Sequence, residues 1–176
     1  MHAEVRRFGL AFAAGLLLLQ MVGATIVPAV SFEELADSSD FVVAGRVTRS
    51  WAAWDASHKY IWTHYELSVQ SAQKGAPGST VEFAEPGGVL GNVMMTIAGS
   101  VSYQAGDNVV VFLSRMPNGF IRTAAWGQGK YTLDANQRLH SAAASLRSLE
   151  GLTLGELKVR LDVRSRAVQG SGRIAR

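Results

Sequence analysis

The chain has 176 residues and no cysteine. That excludes a disulfide framework, a CxxC redox pair, a zinc knuckle and a thiol nucleophile. Charge is also sparse, at 18% of residues, with a net balance of only +3. The recurrent catalytic signatures are missing too: no GxSxG elbow, HExxH, Walker loop or EF-hand pattern occurs. No Asn-x-Ser/Thr sequon is present. What the chain does have is apolar residues, 48% of the total, and 18 glycines. The first is too many for a disordered chain and the second too many for a helical bundle. The length suits one domain with a core of its own. A β-rich domain is the expectation.

The groups that remain for chemistry are poorly placed for it. His58, His64 and His140 are far apart in sequence and make a poor metal set. His64 reads as a solvated residue on the wet face of a strand. Glu82 and Glu85 are the one candidate for a catalytic carboxylate pair, but as flanks of one strand and turn they read as surface charges. Gly127-Gln128-Gly129 lacks the third glycine of a dinucleotide fingerprint, and no βαβ unit surrounds it. No nucleophile–base constellation can be named, so the chain is expected not to be an enzyme and to need no cofactor or metal.

Residues 1–24 have the layout of a secretory signal peptide. Arg6 and Arg7 precede an apolar stretch from Phe8 to Leu19, and Val22 and Ala24 suit a cleavage site before Thr25. A second site after Ala29 is the alternative. Twelve apolar residues are fewer than the ~20 a membrane span needs. The expectation is an exported protein, periplasmic or secreted, with no stable transmembrane span after cleavage.

The rest alternates short strands and turns. Ser31-Phe32-Glu33-Glu34 has capping-box spacing and predicts a helix over about 32–38. Asp40 to Ser50 reads as a strand, with Phe41, Val43, Gly45 and Val47 on one face. Tyr60 to Gln70 alternates with period two, its Ile61, Thr63, Tyr65, Leu67 and Val69 facing one way. Thr80–Ala84 and an irregular stretch over 91–98, with Met95 and Ile97 buried, follow. Val109–Leu113 is an unbroken apolar run, hence a strand covered on both faces. Pro117-Asn118-Gly119 is a hairpin turn, and strands over 120–124 and 130–134 flank Trp126–Gly129. Short strands between glycine turns predict a small barrel or sandwich over residues 25–140. Residues 141–164 read as a linker and a short amphipathic helix over 154–164, opened by Thr153-Leu154-Gly155-Glu156. Residues 165–176 read as a disordered basic tail.

Charge divides the same way. Residues 25–157 carry 9 basic and 12 acidic side chains, whereas residues 158–176 carry six basic and one acidic. The mildly acidic body and the leader disfavour nucleic acid as a partner. A basic end in an exported protein suits anionic lipid or cell-wall polymer. Trp51, Trp54, Tyr60 and Trp62 gather about the predicted turn Asp55–Lys59. Such aromatics on a barrel end mark either a binding surface or a plug.

The order Phe32…Asp40-Phe41-Val42-Val43-Ala44-Gly45-Arg46-Val47, then the strand ending Lys74-Gly75, then Tyr103-Gln104-Ala105-Gly106-Asp107-Asn108-Val109-Val110-Val111-Phe112-Leu113 resembles a known family. It is similar to the netrin-like, OB-fold modules typified by tissue inhibitors of metalloproteinases, and closer to exported bacterial proteins of that arrangement. The resemblance covers about residues 30–135. It implies an OB-like barrel and a non-enzymatic binding role toward a protein or glycan at the cell exterior, inhibition of an extracellular metalloprotease being the sharpest version. In that family a mature N-terminal cysteine chelates the protease zinc; here Thr25 stands first, and its α-amine is the group left to do so. The binding candidates are Thr25, Trp51, Trp54, Trp62, Gly87 and Gly88. The alternative is a structural or envelope-associated protein. The oligomeric state is open.

Overall fold

A computed structural model describes residues 28–141 and 147–174. The leader over 1–24 and Thr25 lie outside the described residues. No described helix is long and apolar enough to cross a membrane.

Two long strands, β1 (Phe41–Trp54) and β2 (Ile61–Lys74), form an antiparallel hairpin. Asp55 makes the turn. Its Oδ1 accepts the backbone N–H groups of Lys59 and Tyr60 at 2.8 and 3.0 Å. The register slips between Val42 and Val43, between Ala44 and Gly45, and between Val47 and Arg49. Such bulges bend and twist a strand. Gly45 is the tightest point: a Cβ there would lie 2.2 Å from the Ser68 carbonyl oxygen.

The sheet grows outward from this hairpin, antiparallel throughout. β3 (Thr80–Pro86) pairs β2, and β6 (Asn108–Arg115) pairs β1. β7 (Ile121–Thr123) and β8 (Lys130–Leu133) both pair β6, and β9 (Leu139–Ser141) pairs β8. A separate hairpin, β4 (Gly88–Leu90) with β5 (Val93–Met95), leaves the end of β3.

The protein is therefore mainly β, as its composition predicts. The expected closed barrel is not found: among the described residues no ladder joins β3 to the far end of the sheet. β3 does run alongside β7. Pro86 has no N–H, and Gly87 and Gly88 (φ +101° and +139°) turn the chain out of the sheet there.

The central strands separate two cores. Val42, Ala44, Val110 and Phe112 pack with Tyr131, Leu139 and Leu149 on one side. Val43, Val47, Val109, Val111 and Leu113 pack with Tyr65, Leu67, Phe83 and Tyr103 on the other. This is why the run Val109–Leu113 has no polar face.

Helices cover the first core. In α1 (Phe32–Ser38), Ser31 Oγ accepts the Glu34 N–H at 3.1 Å, and Glu34 accepts the Ser31 N–H at 2.8 Å. Lys74 Nζ donates to the Ala36 and Ser39 carbonyls, both at 2.6 Å, at the helix's negative end. α2 (Leu154–Ile174) opens on the matching box, where Thr153 Oγ1 accepts the Glu156 N–H at 3.3 Å. Leu157 and Leu161 are buried in the core that α1 caps, and Arg164 Nε donates to Asp37 at 3.0 Å.

The expected end of this helix at residue 164 is corrected: the helix runs to Ile174, so residues 165–174 of the expected disordered tail are helical, and residues 175–176 lie outside the described residues. A helix anchored at Leu157, Leu161 and Arg164 gains one backbone bond per added residue. The ~1 kcal/mol for each of Gly170 and Gly172 does not stop it.

Candidate binding surface

Directly paired residues on neighbouring strands share a face. Trp51 pairs His64 and Ala53 pairs Trp62, which places both tryptophans on the outer face of the hairpin. Trp54 pairs Ile61, a core residue, and so lies on the opposite face, the one β4 approaches. The structure thus divides the three tryptophans that the sequence grouped.

On the outer face the rings lean on one another. Trp51 stacks on His64, centroids 5.3 Å apart and planes 11° apart. Phe120, carried over from the turn between β6 and β7, meets His64 edge-on at 5.6 Å and Trp62 at 4.8 Å. The Arg122 guanidinium lies 5.7 Å from the Trp62 ring and 4.5 Å from the Trp126 ring. Arg49 lies 4.6 Å from the Trp51 ring. His64 is mostly covered, its Nδ1 3.0 Å from Glu82 Oε1, and so is not the solvated residue expected. These rings are largely spoken for by their neighbours.

Arg122 also reaches the seam between β3 and β7. Its Nη2 lies 3.2 Å from Glu85 Oε2, and Glu85 Oε1 accepts the Thr123 N–H at 2.7 Å. Thr123 Oγ1 in turn bonds the Tyr103 hydroxyl at 2.6 Å. Glu85 is 1% exposed, which corrects its reading as a surface charge. Glu82 pairs Glu66 on the outer face, and Glu85 pairs Thr63 on the inner one. Positions three apart on a strand point oppositely, so the two do not form a catalytic pair. Burial pushes the Glu85 carboxyl up, against the pull of the Thr123 N–H and of Arg122. Burial likewise pushes the Tyr103 hydroxyl well up.

At the end of β3 the chain turns a fixed corner. Gly87 N donates to the Ile61 carbonyl at 2.8 Å, and Thr63 Oγ1 donates to the Gly87 carbonyl at 2.7 Å. A Cβ on Gly88 would sit 2.3 Å from Thr63 Oγ1. Gly87 and Gly88 are thus position setters for β4 and β5. That hairpin holds Val89, Val93 and Met94 in solvent, at 56%, 44% and 74% exposure. Val89 pairs Met94, so the two share a face. Met95 and Ile97, expected to be buried, are half-buried around a cavity of about 200 Å³ beside Tyr65, Glu85 and Ser100. The single irregular strand expected over 91–98 is corrected to this hairpin; the signal that could have found it is Gly91-Asn92 between apolar residues on both sides.

His140 lies away from this surface. Its Nδ1 is 2.6 Å from Glu150 and its Nε2 3.1 Å from Asp134, so both ring nitrogens face carboxylates. No family model, curated protein or solved structure matches this chain.

Proposed function

We propose that the chain is an exported, non-enzymatic module that docks a protein partner through the β4–β5 hairpin. One observation carries this reading: two large apolar side chains, Val89 and Met94, share one exposed face of the hairpin, with Val93 exposed on its other face, beyond a corner fixed by the Gly87 hydrogen bonds to Ile61 and Thr63. Clustered apolar exposure marks interaction sites, and a rigid presentation lowers the entropy lost on docking. A glycan is the weaker candidate, because sugar stacking needs open ring faces. Trp51, Trp62 and Trp126 already contact His64, Phe120 and Arg122. The leader supports export, and the family resemblance supports a binding role.

The test is a photo-crosslinking residue placed at Met94 in producing cells, with Asn118 on another exposed turn as control. A discrete protein adduct from position 94, absent from position 118 and lost with Val89→Ser, supports the reading. No adduct, or equal adducts at both positions, overturns it.

One contact favours the narrower inhibitor reading. The buried Gln128 side chain donates to the Pro28 carbonyl at 2.8 Å and accepts the Val30 N–H at 3.0 Å. It holds the backbone shortly after Thr25, where a zinc-chelating N-terminus of the kind the family resemblance implies would need to be held rigid without a cysteine to anchor it. Titration of chain with a free Thr25 amine against extracellular metalloproteases tests this. Inhibition lost on acetylating that amine supports zinc chelation; no inhibition, or equal inhibition after acetylation, removes it.

A further inference from the structure

α2 has two apolar faces, and the body uses only one. Leu157 and Leu161 are buried against α1 and the sheet. Val159, Val163 and Ala167 follow one another at four-residue spacing on the far side. Val159 and Val163 are 63% and 60% exposed, and with Phe32 they line a shallow groove that Arg160, Arg164 and one acid, Glu33, also border. Arginines border this stripe. Arg160 and Arg166 are each three residues from Val163, one on either side of it. Arg160 donates to the Ser148 carbonyl, a neutral partner that leaves its charge in place. Among the described residues Arg164 forms an ion pair with Asp37, and Arg160 also lies within electrostatic reach of Glu156.

We infer that this outer face of α2 lies on an anionic lipid surface, the valines entering the headgroup boundary and Arg160 and Arg166 meeting phosphates. An apolar stripe bordered by cations is a feature shared with interfacial helices; here the opposite apolar face is already buried against the body. The charge argues against a second copy of the chain as occupant. Two helices packed antiparallel over Val163 would set Arg160 of each against Arg166 of the other. Lipid phosphate reverses that repulsion into attraction, and the six basic residues against one acid over 158–176 act in the same direction. This inference does not depend on what the β4–β5 hairpin binds.

The test is co-sedimentation of the full chain with phosphatidylglycerol and with phosphatidylcholine vesicles. The leader is common to all variants, so differences between them belong to α2. The expected result is salt-sensitive binding to phosphatidylglycerol and far weaker binding to phosphatidylcholine. Val159→Ser/Val163→Ser should weaken binding at least about tenfold. Arg160→Gln/Arg166→Gln should weaken it about fivefold per arginine. Both pairs are exposed, and an unchanged thermal midpoint confirms folding. Equal binding to both lipids, or wild-type binding by the valine variant, overturns the inference. A lipid-free dimer in ultracentrifugation that the valine variant abolishes also overturns it, and assigns the face to a second copy.

Discussion

The Glu85 carboxylate accepts the Thr123 backbone N–H at 2.7 Å, across the seam where β3 passes β7 without a ladder. One side chain takes the place of strand pairing there. The same carboxylate holds Arg122, which in turn lies against Trp62 and Trp126. The inner seam and the outer aromatic row are therefore mechanically one unit.

Removing that carboxylate strands two buried donors. Glu85→Ala should lower stability by about 3–5 kcal/mol, the range for breaking a buried charged pair. Urea denaturation monitored by tryptophan fluorescence checks this. A loss below about 1 kcal/mol would show that the seam holds without it.

Glu85 also sets a pH dependence of definite sign. Its folded pKa is raised by burial above the ordinary 4.5. Its contribution is thus most favourable below pH 4.5 and declines as pH rises through the folded value. The stability of wild type relative to Glu85→Gln should fall over that window. A difference that is flat or rising with pH contradicts the burial.

His140 behaves alike for the opposite kind of group. Hydrogen bonds that the imidazole donates to Asp134 and then to Glu150 raise its pKa above 6.5. The clamp should be complete below pH 6.5 and lost as pH climbs through the raised value. NMR titration of the imidazole should give a midpoint above 6.5 that drops in Glu150→Gln. An unchanged midpoint in that variant removes Glu150 from the clamp.

The glycine corner predicts a contrast between neighbours. Gly88→Ala meets both a φ of +139° and a contact of 2.3 Å with Thr63 Oγ1. Gly91→Ala has a φ of +59° and open space around it. The second should cost about 1–2 kcal/mol, the left-handed penalty alone, and the first clearly more. Thermal unfolding of the two variants side by side measures the difference; equal losses contradict the corner.

Much of this molecule was legible locally. Ser31 with Glu34 and Thr153 with Glu156 announce both helices, because a capping box is a short-range device. The alternation of Ile61 to Leu67 assigns the inner face of β2, and the unbroken Val109–Leu113 run announces a strand with two cores. The failures are long-range. Glu85 looks like any strand-end acid until Arg122 and Thr123, 37 and 38 residues later, arrive beside it. Trp54 parts from Trp51 through parity alone, once the hairpin extends past Ser50. The continuation of α2 past residue 164 depends on anchoring by Asp37, 127 residues away from Arg164.

The central claim is that the β4–β5 hairpin is the docking element. Its most direct test is the equilibrium affinity of the partner captured at position 94 for wild type and for Val89→Ser/Met94→Ser. Both side chains are exposed, so the unfolding midpoint should stay within about 0.5 kcal/mol of wild type. The account predicts an affinity loss greater than about tenfold, the scale of truncating central apolar contacts. Wild-type affinity in the folded double variant would contradict it.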